Sequence, residues 1–295
     1  MAITITNNGA NAAGDANDNV IVNGILGGSG FPPAFNTAFS NLVTAGAGND
    51  TVNTGAGNDD ISGEAGNDTI GAGDGNDTVS GGDGDDNIGG GAGNDNIGGG
   101  AGNDIIGGGA GNDNIGGGAG NDSIGGGAGK DTISGGAGND TISGGADVDN
   151  LGGGDGDDQI GGGAGDDIIG GAAGNDTIFG GDGNDQIGGG AGNDSISGGA
   201  GNDTIFGGTG TDIINGGAGN NNINLGSDGE TDFVFIDVAA AGLNKITGFD
   251  AGTDKIVLMG ATDFNFAPAD NELIVNDTIV ASFDTTPVIG DILFG

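Results

Sequence analysis

The sequence predicts an all-β repeat protein whose short strands become ordered only by stacking on one another. Three observations predict it. From Val43 to Ile223 an aliphatic residue returns every 9 residues without insertion or deletion, glycine-rich turns separate these aliphatics, and an aspartate stands two residues before nearly every one. A disordered chain with 78 Gly among 295 residues and a formal net charge of -40 has no reason to hold one phase so far. Collagen is excluded by 4 Pro and by the absence of a three-residue glycine period.

Each strand is read from a triplet such as Thr69-Ile70-Gly71 or Ser195-Ile196-Ser197. The central aliphatic faces inward and its small or polar neighbours face outward, as the two-residue period of a strand requires. Ile and Val fill nearly all the inward positions, which suits a pleated, buried ladder. Such a short strand cannot fold alone, so identical neighbours must supply the order. Between strands run turns such as Gly135-Gly136-Ala137-Gly138-Asn139-Asp140, whose glycines suit positive φ or close backbone approach.

Composition narrows the chemistry. The chain has no Cys, His, Trp, Tyr or Arg, and its only Lys residues are Lys130, Lys245 and Lys255. Against 43 Asp and Glu, 3 cations cannot neutralise phosphates, so nucleic acid is not a partner. Thiol chemistry, zinc thiolates and disulfides are excluded, and imidazole-dependent catalysis with them. No Gly-x-Ser-x-Gly elbow with a His partner and no His-Glu-x-x-His is present. The expectation is a protein that is not an enzyme.

The nonapeptide Gly-Gly-x-Gly-x-Asp-x-U-x, with U aliphatic, runs through residues 43–224. In this the sequence resembles the RTX (hemolysin-type calcium-binding nonapeptide repeat) family. The resemblance implies a right-handed parallel β-roll, a β-solenoid with two nonapeptides per coil. It also implies that each nonapeptide is a six-residue turn followed by a three-residue strand. Three segments follow from this: 1–42, an N-terminal cap with a degenerate repeat and an apolar insertion; 43–224, the calcium-binding roll; and 225–295, a C-terminal cap and secretion signal.

Stacking brings aspartates 18 residues apart into columns. The candidate metal ligands are Asp50, Asp59, Asp68, Asp77, Asp86, Asp95, Asp104, Asp113, Asp122, Asp131, Asp140, Asp149, Asp158, Asp167, Asp176, Asp185, Asp194, Asp203 and Asp212. Two carboxylates about 5 Å apart repel by about 3 kcal/mol at an effective dielectric near 20. A thin Ile ladder cannot offset many such contacts, whereas a hard dication between successive aspartates removes them. Calcium takes six to eight oxygens in a flexible shell, and turn carbonyls can add to the carboxylates; magnesium demands rigid octahedral geometry, and softer metals lack their ligands. The two columns have gaps for about 17 Ca2+, which would bring the net charge of -40 to about -6. Departures fall at Glu64, Ala72, Ala172 and Asp147, the last making the site at Asp149 the least regular. Lys130 should point outward, and Asn221 should weaken or end its metal column.

Both ends turn apolar. Ile3 and Ile5 open an alternating strand, Gly14–Val20 forms a degenerate repeat, and an insertion carries Phe31, Pro32, Pro33, Phe35 and Phe39. A roll has open strand edges, so apolar caps that stop edge-to-edge pairing are expected. The segments Asp232–Phe235, Ile246–Asp250, Gly252–Ile256 and Asp291–Gly295 resemble the family's C-terminal cap and uncleaved signal. Met1-Ala2-Ile3-Thr4 has neither a basic n-region nor an apolar h-region, and no apolar run is long enough to span a membrane. The resemblance then implies export by type I secretion machinery to an extracellular, cell-surface-associated place.

The functional expectation is a secreted calcium-binding repeat protein that folds on extracellular calcium. It is expected to self-assemble, through end caps or flat roll faces, as a structural component of a fibre, surface layer or matrix. The outward apolars Ile105, Ile168, Phe179, Phe206 and Ile213 are candidate contacts. Alternatives are a non-assembling calcium-binding or adhesin module, and ice binding. Flat Thr and Asn ranks would favour ice binding, but Ala holds the variable turn position almost throughout and Thr stands there only at Thr209.

Overall fold

The computed structural model describes residues 3–6, 19–21, 40–226, 228–237, 239, 242–260, 265–267, 272–275, 278–284, 287 and 291–294. The apolar insertion with Phe31, Pro32, Pro33, Phe35 and Phe39, and most of the degenerate repeat before it, lie outside these residues. The chain divides into two compact units, Met1–Ala146 and Asp147–Gly295.

The first unit is built from two parallel ladders that take alternate nonapeptides. One joins Ile3–Thr6, Asn41–Ala47, Asp60–Ala65, Thr78–Asp83, Asn96–Ala101, Asn114–Ala119 and Thr132–Ala137; the other joins Asn19–Ile21, Thr51–Ala56, Thr69–Asp74, Asn87–Ala92, Ile105–Ala110, Ser123–Ala128 and Thr141–Ala146. Through the repeats partners stand one coil apart, as in Val52 opposite Ile70 and Ile106 opposite Ile124. The Ile3 strand pairs with the first repeat, Ile5 opposite Val43, and Val20 stands opposite Val52. The ladders therefore begin inside the segment expected to be a cap.

The strands are longer than the resemblance implied. From Thr51–Ala56 to Thr204–Thr209 each spans six residues, such as Asn96–Ala101, where only Gly102-Asn103-Asp104 turns the chain; Ile213–Asn215 and Asn222–Asn224 keep three. The reason is the unbroken register: backbone groups beyond the aliphatic triplet also meet partners in the adjacent coil, as Gly109 meets Gly127 and Ala110 meets Ala128. Even turn amides are used, Gly102 N–H donating to the Ala119 carbonyl at 2.8 Å. Backbone groups thus pair from coil to coil in the turns as well as in the strands.

The second unit likewise has two parallel ladders, one over Asn150–Asp155, Ile168–Ala173, Gln186–Ala191, Thr204–Thr209, Asn222–Asn224 and Asn244–Thr247, the other over Gln159–Ala164, Thr177–Asp182, Ser195–Ala200, Ile213–Asn215, Phe233–Asp237, Lys255–Met259 and Ile292–Phe294. The pairing continues past the last nonapeptide: Ile214 faces Val234, which faces Ile256, which faces Ile292. Thr278–Phe283 then adds to Asn244–Thr247 in parallel, and the strands Glu272–Val275 and Asn265–Ala267 follow it antiparallel. That change of direction ends the repeat in this ladder. Phe249 and Phe283 close the interior there with ring centroids 5.6 Å apart at 69°.

Every aliphatic of the nine-residue series is buried, from Val43 through Ile223. The residue two after each aliphatic is also buried, and it is glycine except at Ala45, Thr54, Ala72 and Leu225. Gly66 shows why the turns need glycine. Its φ is +133°, and a Cβ there would collide with the Gly48 carbonyl of the preceding coil. Glu64, Asp147 and Ala172 hold φ values of 76°, 74° and 85° at glycine positions, a conformation costing an L residue roughly 1–2 kcal/mol.

Candidate metal centre

All nineteen aspartates from Asp50 to Asp212 are buried, at 2% exposure or less. The strand after each one places its aliphatic in the core, and the turn before it brings the carboxylate back over the interior. From Asp59 through Asp140, and from Asp167 through Asp212, one oxygen of each is used along the stack. The Asp59 N–H donates to Asp77 Oδ1 at 2.7 Å, Asp104 N–H to Asp122 Oδ1 at 2.8 Å, and Asp185 N–H to Asp203 Oδ1 at 3.0 Å.

The second oxygen is the unusual one. From Asp59 through Asp122, and from Asp167 through Asp212, Oδ2 is buried and accepts no hydrogen bond. An unsatisfied buried carboxylate oxygen is among the costliest groups a fold can hold. These oxygens face the first glycine of their own nonapeptide. A Cβ on Gly63 would press against Asp68 Oδ2 and lie 2.6 Å from the Gly81 carbonyl oxygen of the next coil. Gly90, with Asp95 and the Gly108 carbonyl, and Gly162, with Asp167 and the Gly180 carbonyl, repeat the arrangement. A nonapeptide that opens on glycine therefore forms a small cradle: a carboxylate oxygen, a carbonyl oxygen from one coil on, and a glycine that leaves room.

Burial pushes the carboxyls up. Asp77, Asp86, Asp113, Asp185 and Asp194 are raised to about 6 by desolvation; the backbone N–H each accepts opposes this, and neighbouring carboxylates add to it. Among the described residues no three acids converge on one point. That is the geometry of a column, in which each cradle has one carboxylate oxygen and otherwise backbone oxygens. The donor set is all oxygen and negatively charged, which fits a hard divalent cation such as calcium.

Two features were not read from the sequence. Asp212 N–H donates to Asp232 Oδ1 at 2.9 Å and Asp232 N–H to Asp254 Oδ1 at 3.1 Å, so this column runs on beyond Asp212. Burial raises Asp232 to about 7, with the Asp212 N–H opposing and the Asp212, Asp254 and Asp228 carboxylates adding. The signal was present: Asp232 precedes Val234, and Asp254 precedes Ile256, by the same two residues as in the repeats. The second feature is an outer column. Asn67 N–H donates to Asn49 Oδ1 at 3.0 Å and Asn112 N–H to Asn94 Oδ1 at 2.8 Å, so exposed side chains stitch the turns in the opposite direction to the buried aspartates.

The irregular positions fall as follows. Asn221 Oδ1 accepts from Asp203 N–H at 2.8 Å, and its buried Nδ2 lies where a carboxylate oxygen would. An amide donor there repels a cation. Asp149 keeps the column geometry, its N–H donating to Asp167 Oδ1 at 2.8 Å. Lys130 is exposed, as expected, and its N–H donates to Asn112 Oδ1.

The RTX calcium-binding nonapeptide repeat (4 copies) matches residues 35–70, 72–97, 90–124, 125–160, 161–196 and 188–223. The chain belongs to this family. It is therefore a β-roll of calcium-binding RTX repeats. No curated protein matches it. A solved structure it is similar to, at 22% identity over 84% of each chain and a TM-score of 0.46, is described as a hyperactive, Ca2+-dependent, β-helical antifreeze protein from an Antarctic bacterium. Among the described residues no helix is long and apolar enough to cross a membrane.

Proposed function

We propose that the aspartates from Asp50 to Asp212 are the calcium ligands of this RTX chain and that calcium drives its folding outside the cell. The observation that carries this is the buried, unaccepting Oδ2 set beside a carbonyl oxygen, repeated coil after coil. Bound calcium would supply the positive charge that the stack lacks. Where calcium is scarce, repulsion and desolvation favour the unfolded chain; where it is plentiful, a ligand that binds only the folded state stabilises it by mass action. The gaps between successive carboxylates number about 17, enough to account for most of the -40 charge.

On this reading the C-terminal segment carries a type I secretion signal, and the roll itself is a working part. We read it as a structural component that packs against copies of itself. The roll's outward positions are small, which permits close approach, and Ile105, Ile168, Phe179, Phe206 and Ile213 are exposed by 44% to 58%. In the second unit Phe179, Ile213, Phe235 and Met259 line a shallow apolar groove of about 340 Å³. Isolated apolar residues on a surface are ordinary, whereas several lining one groove support reading this face as the contact. Electron microscopy of the protein with and without calcium tests the assembly. Calcium-dependent fibres or sheets support it, and separate particles in millimolar calcium would leave a non-assembling calcium-binding module.

A further inference from the structure

The cradles are not all alike, and the differences lie at the glycine that leaves them room. At the position held by Gly63, Gly81 and Gly90, three N-terminal nonapeptides carry a side chain: Ala45 before Asp50, Thr54 before Asp59, and Ala72 before Asp77. All three are buried, at 3%, 1% and 0% exposure. Thr54 shows directly where such a side chain goes. Its hydroxyl donates to the Ala72 carbonyl at 2.8 Å, and that carbonyl is the next-coil oxygen of the Asp59 cradle. The hydroxyl therefore uses the oxygen that stays free to face a cation where glycine is present. Beyond the last nonapeptide, Leu225 takes the same position one coil after Gly207 and is fully buried.

Resting on the calcium reading above, we infer that the first residue of each nonapeptide decides whether its aspartate takes a metal ion: glycine opens the cradle, and any side chain closes it. Asp59 and Asp77 are then structural members of the columns that bind no calcium, although the sequence pattern marks them as ligands. Asp50 behind Ala45 follows the same rule. The calcium-bearing stretch starts later than the aspartate series and stops at Leu225. Its N-terminal end is held instead by the Thr54 hydroxyl, by methyl groups, and by Asn41, whose N–H and Nδ2 both donate to Asp59 Oδ1 at 2.7 and 2.8 Å. Asn41 thus gives Asp59 Oδ1 a second donor beyond the backbone N–H that the other aspartates of the columns receive, while Asp59 Oδ2 stays buried without one.

Native mass spectrometry of the full chain, titrated with calcium alone, tests this by counting ions. Ala72→Gly should add one calcium to the saturated count, Asp77→Asn should leave the wild-type count unchanged, and the double variant should return to it. Gly117→Ala, which closes the Asp122 cradle, should remove one. Asp77→Asn is close in shape to the native residue and keeps the assay decisive if Gly117→Ala fails to fold. Loss of an ion in Asp77→Asn, or no gain in Ala72→Gly, overturns the rule while leaving calcium binding intact. A wild-type chain that binds no calcium at all would instead overturn the reading on which it rests.

Discussion

Asp68 and Asp86 stand one coil apart, with the backbone N–H of Asp68 donating to Asp86 Oδ1 at 2.7 Å while Asp86 Oδ2 stays buried without a donor. One carboxylate thus does two jobs. It ties the turn of the preceding coil in place, and it holds a bare negative oxygen beside the Gly99 carbonyl, within 2.5 Å of where a Cβ on Gly81 would sit. The fold and its need for a cation come from the same side chain.

Replacing Asp104 with Asn separates the two jobs. The amide oxygen can still accept the Asp86 N–H, which Asp104 Oδ1 does at 2.8 Å. The second position becomes a donor, as it is at Asn221. The variant should lose one calcium and, in saturating calcium, about 1–3 kcal/mol of stability, the cost of losing a charged interaction at a buried polar site. Thermal unfolding in calcium and in chelator reads this directly. An unchanged melting temperature in calcium would count against Asp104 as a ligand.

The pH dependence of the metal-free protein has a definite sign. Asp77, Asp86, Asp113, Asp185 and Asp194 are raised from 3.8 to about 6 in the fold, so between those values the folded chain holds protons that the unfolded chain does not. That stability is present below about pH 4 and is lost as pH rises through about 6. In chelator, β-structure should therefore grow as pH falls from 7 to 4. With limiting calcium the metal competes with the protons on Asp86, Asp113, Asp185 and Asp194, so its apparent affinity should fall over that window. Circular dichroism against pH, with and without calcium, checks both directions.

Ala172 holds φ 85° near the end of the strand Ile168–Ala173, where other nonapeptides carry glycine. Ala172→Gly should stabilise the calcium-loaded protein by about 1 kcal/mol, because the left-handed strain outweighs the entropy that glycine costs. Comparison of denaturation midpoints at fixed calcium measures the change, and a destabilised variant would show that the backbone there is not strained.

Phe179 lies on the exposed face of its strand, opposite Ser197, at 49% exposure. Phe179→Ser removes one of the two phenyl groups that line the groove without touching the interior. It should leave calcium binding and unfolding within about 0.5 kcal/mol of wild type, as for other surface changes. Light scattering in calcium should nevertheless show reduced assembly. Assembly at the wild-type level would place the contact elsewhere.

Most of the architecture was legible because one period governs everything. The inward Ile series, the glycine turns and the 18-residue spacing of Asp50 and Asp68 each follow from a repeat in which every coil copies its neighbour. What escaped were features that depend on contact rather than phase. The strands proved twice the expected length because Gly109 and Ala110 find backbone partners in the next coil, which no side-chain pattern announces. Asp232 and Asp254 were passed over because their spacing in sequence changes while their place in the stack does not. The part played by Ala45, Thr54 and Ala72 needed the geometry of the cradle, since on paper each is only a small residue in place of another.

Far-UV circular dichroism of the purified full chain in millimolar calcium, and again in excess chelator at neutral pH, tests the central claim most directly. A β-sheet spectrum in calcium that collapses to a disordered one in chelator, and returns when calcium is restored, is the predicted result. An unchanged β-sheet spectrum with calcium removed would contradict it, because the buried carboxylates would then be held without a cation.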